Sequence, residues 1–247
     1  MKLYQELAEY YFSIEKENRR IDDDVNLITS LVGNIKKPLL LDLGCGTGEH
    51  LAELSKLNID CTGIDASESM IKIAKLRFPN SIQFIKEDIK SFSFKQKFDI
   101  IISLFGSLDY LLENNDINIA LCNTHKALKP AGIGLFEIWN AVPITKIKEK
   151  ALDSVSKTNY KGKMIERQRG FRLLNYRDKA IVEVNYSYNL SGNTIMKDKH
   201  KMRAFTREEI TNYLETNGFE VLSCYSNSLK QPYDETSNRI ILHFKKK

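Results

Sequence analysis

The sequence predicts an α/β fold: a largely parallel sheet of seven strands flanked by helices, with an antiparallel β insertion before the last helix. Three observations predict it. Short apolar runs without alternation, beginning with Pro38–Leu39–Leu40–Leu41, recur between stretches of helical period, as strands buried on both faces of a parallel sheet require. A glycine-rich turn, Gly44–Cys45–Gly46–Thr47–Gly48, directly follows the first of these runs. Residues 163–174 and 180–190 alternate with period two instead, the pattern of half-exposed antiparallel strands.

Taken in order, residues 3–32 read as two helices with a break near 18–23, where EKENRRIDDD separates two apolar patches; Gly33 and Pro38 close the second. The strand PLLLDLG follows, then helix EHLAELSKLN, strand IDCTGIDAS, helix ESMIKIAKLRF and strand SIQFIKED. Strand FDIIISLFG, helix NDINIALCNTHKALK and strand GIGLFEIW complete the series. Strands alternating with helices of about ten residues are the βαβ signature. Ser67 precedes the helix 68–78 and Asn115 or Asp116 the helix 116–129, both as N-caps.

Residues 141–157 are expected as a helix or irregular lid. The alternating strands come next, with Ser191–Gly192–Asn193 as a hairpin turn into TIMKDKHKMRAF. Thr206 and Glu209 form a capping box for helix 207–217, which Gly218 ends. FEVLSCYS and RIILHFKK close the chain as an antiparallel pair. The expected organisation is therefore an N-terminal helical lid and α/β core over 1–140, an antiparallel basic insertion over 141–205, and the last helix with the final two strands over 206–247.

Composition removes several function classes. No stretch approaches 18 apolar residues, so no membrane-spanning helix is expected, and the acid-rich start MKLYQELAEYYFSIEKEN does not read as a signal peptide. Cys45, Cys61, Cys122 and Cys224 are scattered without a CxxC pair, which fits reduced thiols in a cytoplasmic protein. With four histidines and no HExxH, no metal site is assigned. The formal charge of +5 is unevenly placed. Residues 1–140 hold 16 basic and 20 acidic residues, net −4; residues 141–205 hold 15 and 6, net +9; residues 206–247 hold 6 of each.

The sharpest motif is Asp42–Leu43–Gly44–Cys45–Gly46–Thr47–Gly48, between a strand and a helix. Glycines there permit tight backbone angles and close approach to a ligand. Asp65 ends the next strand, 23 residues on, where a carboxylate can grip two ribose hydroxyls; Asp88 ends the third, and the fourth ends in Ser103–Leu104–Phe105–Gly106. All four points fall at strand C-termini, where ligands of open α/β sheets bind. The alternate glycines differ from the GxGxxG of dinucleotide binding, Asp42 would repel a pyrophosphate, and GK[ST] is absent.

Together, DLGCGTG, the acid of GIDAS, KEDI, FDIIISLFGSLDYL and LKPAGIGLFEIW resemble the class I S-adenosylmethionine-dependent methyltransferases over roughly residues 38–140. Within them, GTGEHL, LFGSLDYL and the hairpin insertion followed by FTREE resemble the small-molecule N-methyltransferases of deoxysugar amines. The resemblance implies a Rossmann-like, seven-stranded methyltransferase sheet and S-adenosyl-L-methionine as cofactor. It implies that Asp42 and the turn containing Gly44, Cys45 and Gly46 surround the methionine part, and that Asp65 takes both ribose hydroxyls beside Ala66 and Met70. Asp88 would meet the adenine amino group and the Ile89 backbone its ring nitrogen. Leu104 and Phe105 would line the sulfonium side, and Tyr11 would reach the cofactor carboxylate or the acceptor.

Methyl transfer from a sulfonium is an in-line displacement, for which alignment and water exclusion matter most. Candidates near the acceptor are Ser107, Asp109, Tyr110, Glu137, Trp139 and Asn140; Tyr11, Asp109 and Glu137 are taken as catalytic. The expected acceptor is an amine or hydroxyl of a small molecule, anionic or nucleotide-linked if Arg167, Arg169, Arg172, Arg177, Lys197, Lys199, Lys201 and Arg203 meet it. The alternatives are an RNA or protein substrate tracked by those residues, and a merely solvated basic strand face. RNA ranks second, without RGG or RNP-like patterns. Either a monomer or a homodimer is compatible with the sequence.

Overall fold

The computed structural model describes all residues except 17–18, 34, 81, 148–151, 176–177 and 191–193. After α1 (Tyr11–Glu15) and α2 (Ile21–Val32), strands and helices alternate: β1 (Leu39–Leu43), α3 (Glu49–Lys56), β2 (Asp60–Asp65), α4 (Glu68–Arg77), β3 (Ile82–Lys86), β4 (Phe98–Ser103), α5 (Asn114–Ala127) and β5 (Leu128–Trp139). The chain continues with α6 (Ala141–Ile147), β6 (Leu152–Tyr160), β7 (Lys163–Asn175), β8 (Ala180–Leu190), β9 (Thr194–Ala204), α7 (Arg207–Thr216), β10 (Phe219–Tyr225) and β11 (Arg239–Lys246).

The main sheet runs β10-β11-β5-β4-β1-β2-β3. β1 to β5 are parallel, and β11 lies antiparallel between β5 and β10. This is the seven-stranded, Rossmann-like sheet expected. β1 is central because both its faces are apolar: Leu41 and Leu43 pack with Phe98, Ile101 and Phe136 on one side, while Leu40 packs with Ile100, Ile102 and Leu135 on the other. Because β2 and β4 flank β1 on opposite sides, the chain order reverses there. A crevice opens at the strand C-termini.

The insertion is a separate antiparallel sheet of order β6-β7-β8-β9. Its first strand replaces much of the helix or lid expected over 141–157: α6 ends at Ile147, and β6 pairs with β7 from Leu152↔Phe171 to Tyr160↔Lys163. Cross-strand pairing decides this segment, whose own pattern is weak. The Ser191–Gly192–Asn193 turn lies outside the described residues; the ladder around it closes at Leu190↔Thr194.

Capping follows the sequence at two helices and departs from it at a third. Ser67 accepts from Met70 N (3.3 Å) and Thr206 from Glu209 N (3.1 Å). α5 instead starts at Asn114, ahead of the expected Asn115 or Asp116 caps, and the Asn114 side chain accepts from Arg203 (2.8 Å). Residues 3–10 form hydrogen-bonded turns in place of a continuous helix. This N-terminal segment joins the two sheets: Leu3, Leu7, Tyr11 and Ile14 pack in one cluster with Met70 of α4 and with Val182, Val184 and Tyr188 of β8.

Candidate active site

The glycine turn between β1 and α3 is the floor of the site. Gly44 and Cys45 both donate their N–H to Ile64 O (2.8 and 2.9 Å), bending the chain across the end of β2. Gly44 has φ +83° and faces Ser107, whose Oγ would lie 2.3 Å from an added Cβ. Only glycine meets both conditions. Below the turn, Asp65 accepts from Gly46 N (3.0 Å) and Ser67 N (2.8 Å), so its carboxylate is fixed at the end of β2. Burial raises its pKa against these two hydrogen bonds.

Asp42 is the buried acid of β1. Burial first, then the neighbouring Asp65, push it up to about 7, with Arg19 opposing. Arg19 comes from the stretch between α1 and α2. Its guanidinium donates to the Tyr11 hydroxyl and stacks over the Phe105 ring at 4.3 Å. The Arg19 Nε is buried without a hydrogen-bond partner among the described residues. Burial raises the Tyr11 phenol to about 12 despite that cation, so it stays neutral. The Cys45 thiol is also raised, by burial and then by Asp42 and Asp65, and is no nucleophile.

These groups share one cavity of about 430 Å³ at the C-terminal ends of the parallel strands, within the size range of small-molecule sites. Tyr11, Asp42, Gly44, Cys45, Gly46, Asp65, Ala66, Met70, Asp88, Ile89 and Leu104 all line it, together with Phe105, Ser107 and Tyr110. His50 lines it too, held by Asp24 at 3.0 Å. Sequence reasoning missed Tyr4, Gln5 and Arg19. Arg19 lies in a charged break between helices, a setting that gives no periodic signal.

Two expected catalytic carboxylates sit elsewhere. Neither Asp109 nor Glu137 is among the residues lining the cavity. Asp109 is fully buried and accepts from Trp139 N (3.1 Å). Glu137 is bound by Arg239 and accepts from Phe105 N (3.3 Å). Phe105 has φ +54°, a strained value for an aromatic residue, and Glu137 holds that residue in place. Trp139 packs on Phe171, and Asn140 donates to Glu235 O and Ser237 O.

The buried arginines of the basic insertion are paired, largely with acids from outside it. Arg167 and Arg169 share one face of β7, as the alternation implies, but that face points inward: Arg167 is buried against Glu15, and Arg169 stacks on Phe171 at 4.8 Å. Arg203 is buried on Glu209, Asn114 and Leu112 O. Lys199 pairs with Glu183 at 3.3 Å. Arg172, Lys197 and Lys201 are exposed, and Arg177 lies outside the described residues. No described helix is long and apolar enough to cross a membrane.

Residues 40–132 match the methyltransferase domain family. The chain is 33% identical over 100 residues to the dTDP-3-amino-3,4,6-trideoxy-alpha-D-glucopyranose N,N-dimethyltransferase of Streptomyces venezuelae, covering 40% of this chain and 42% of that one. The chain spans about half the length of the curated relatives it matches. Its fold superimposes on an S-adenosylmethionine-dependent methyltransferase from Clostridium acetobutylicum with TM-score 0.80, at 18% identity and 97% coverage of both chains. It superimposes on an S-adenosylmethionine-bound amino pentose methyltransferase from Micromonospora echinaspora with TM-score 0.73, at 18% identity and 96% coverage of both. Over residues 40–132 the chain thus matches the methyltransferase domain family, it has the fold of S-adenosylmethionine-dependent methyltransferases, and it is similar in sequence to a sugar-amine N,N-dimethyltransferase.

Proposed function

We propose that the chain binds S-adenosyl-L-methionine in this cavity and transfers its methyl group to an amine or hydroxyl of a small molecule. One observation carries the reading. A single cavity gathers an acid for a diol, an acid for a cation and an arginine with a spare buried nitrogen, all at the reversal point of a parallel sheet.

The residues fit the cofactor group by group. Asp65, with two backbone N–H bonds already in place, keeps acceptor capacity for the ribose hydroxyls. Among the described residues only the charge of Arg19 opposes the raised pKa of Asp42, and the cofactor's ammonium would supply a direct partner. Arg19 and Tyr11 would hold the carboxylate, with the orphaned Arg19 Nε gaining a partner. Asp88 and Ile89 would take the adenine edge.

When bound, the cofactor supplies a methyl carbon on a sulfonium, which leaves with the bond's electron pair as a neutral thioether. The chain's part is alignment and water exclusion. Leu104 and Phe105 flank the transfer point, and Glu137 acts through Phe105 by holding its strained backbone. Asp109 fastens the end of β5 through Trp139 N in the same supporting way.

The small-molecule reading is preferred to RNA or protein because the arginines that would track a polyanion are bonded within the fold. The acceptor is proposed to be sugar-like and anionic or nucleotide-linked, in line with the named activity of the Streptomyces venezuelae relative. The test is transfer of labelled methyl from S-adenosyl-L-methionine to a cell extract fractionated into metabolites, RNA and protein. Label in the metabolite fraction is expected; label confined to RNA or protein overturns the reading.

A further inference from the structure

A chain of hydrogen bonds leaves the cavity wall and ends at a buried carboxylate. Tyr4 and Tyr110 line the cavity, and their hydroxyls are 2.7 Å apart. The Tyr110 hydroxyl is 2.6 Å from Nδ1 of His200, and His200 Nε2 is 3.0 Å from Asp198 Oδ2. Asp198 and His200 are two residues apart on β9, so their side chains share one face of the insertion sheet. His200 is 1% exposed.

Proton directions follow by elimination. Ionised Asp198 only accepts, and it also accepts from Leu3 N at 2.8 Å. His200 therefore carries its proton on Nε2, leaving Nδ1 as an acceptor. Tyr110 must donate to Nδ1, and Tyr4 to Tyr110. Every donor in the chain points towards Asp198, and the Tyr110 oxygen retains one lone pair.

We infer that Tyr110, His200 and Asp198 form a proton relay that deprotonates the methyl acceptor. This rests on the methyltransferase reading above. Tyr110 is the catalytic residue; His200 and Asp198 are positioning residues that act through it. The acceptor's N–H (or O–H) bond breaks as its proton joins the Tyr110 oxygen, and the Tyr110 proton moves to His200 Nδ1. The freed electron pair forms the new bond to the methyl carbon, while the carbon–sulfur pair leaves with sulfur. The imidazolium produced is met by Asp198.

The surroundings suit these roles. Burial lowers the pKa of His200, against the hydrogen bond and charge of Asp198, so it is neutral and ready to accept. Burial raises Tyr110 well above its ordinary value, so it passes a proton on without storing charge. Asp198 is held below the usual carboxylate range by Leu3 N and His200, despite burial. The other groups facing His200 are the Tyr186 ring from β8 at 4.9 Å, the Tyr4 ring at 5.4 Å, and the charges of Glu15 and the amino-terminal ammonium.

The test uses the whole protein with dTDP-3-amino-3,4,6-trideoxyglucose as the acceptor probe, comparing parent, Tyr110→Phe and His200→Gln across pH 6–10. The relay predicts a kcat about 100-fold lower at pH 7 in both variants, the scale of general-base catalysis. It predicts cofactor affinity within twofold of the parent by calorimetry, and a deficit that shrinks towards pH 10 as the acceptor amine loses its proton to solvent. Asp198→Asn should move the acid limb of kcat to lower pH, since His200 loses its carboxylate. An active parent whose variants match it overturns the relay, as does a deficit of constant size at all pH values, which marks a structural role. A parent that binds the cofactor but labels no metabolite, neither this sugar amine nor any component of the metabolite fraction, overturns the functional reading itself, and the relay with it.

Discussion

The two sheets of this molecule use charge in opposite ways. In the parallel sheet, acids at the ends of β1 and β2 sit at the cavity with few partners: Asp42 is buried and raised to about 7, and half-buried Asp65 is raised by desolvation. In the antiparallel sheet, the most buried arginines are already paired, Arg167 with Glu15 and Arg203 with Glu209. The segment 1–140, net −4, thus keeps acids at the cavity short of partners, while the segment 141–205, net +9, ties its buried arginines to acids outside it. A buried charge without a full set of partners is a functional signal. A run of basic residues is not, until its partners are known.

The largest effect should come from breaking the paired side. Arg203→Ala strands Glu209 and removes two further hydrogen bonds at the start of α5. The expected loss is about 3 kcal/mol of folding stability, the low end for a broken buried pair because Glu209 keeps some solvent contact. Denaturant unfolding measures it. A loss under 0.5 kcal/mol would mean the lobe's charge is not structural.

On the reserve side, Asp65→Ala should weaken cofactor affinity by roughly 1.5–3 kcal/mol, the scale of charged hydrogen bonds. Calorimetry reads it directly. Unchanged affinity would remove Asp65 from the ribose site.

Asp42 gives a smaller effect with a definite sign. Its folded-state pKa is raised, so below about 7 it is protonated and cannot pair with the cofactor's ammonium. Affinity for S-adenosyl-L-methionine should therefore rise as pH increases from 6 to 7.5, by up to about tenfold, and level off above. The same shift makes the ligand-free fold lose stability as pH rises from about 4 to about 7, because the folded state binds the extra proton. Asp42→Asn should flatten both profiles. A pH-independent affinity in the parent would show that Asp42 is ionised throughout.

The division between the sheets also explains what was legible in the sequence. The cavity wall was readable because its constraints are local: Gly44 must have positive φ beside Ser107, and Asp65 must end a strand whose apolar run is visible. β6 was hidden because it is fixed by pairing with β7 and has no pattern of its own. Glu137 and Asp109 were read as catalytic from their place near the strand ends, but sequence cannot show that Glu137 is bound by Arg239 or that Asp109 accepts from Trp139 N away from the cavity lining. The alternation of Arg167 and Arg169 correctly gave a shared face. It could not tell that this face was covered, since Glu15, which pairs with Arg167, comes from a distant part of the chain.

The finest division lies within the lobe, between its paired arginines and its exposed cations. Arg172, Lys197 and Lys201 are solvent-exposed, so each alanine variant should change stability by no more than about 0.5 kcal/mol. If the lobe were a groove for RNA, these residues would be its phosphate contacts. Each removed contact would then weaken RNA binding and lower the salt-dependence slope by about one. The internal pairing of Arg167 and Arg203 predicts otherwise: no salt-steep RNA binding in the parent, and none lost in the triple variant, by fluorescence anisotropy on a labelled tRNA. A parent affinity that falls steeply between 50 and 200 mM salt, and whose slope drops by about three in the triple variant, would show that the exposed cations alone are enough for a nucleic-acid surface. Charge would then divide between two faces of one lobe, not between two sheets.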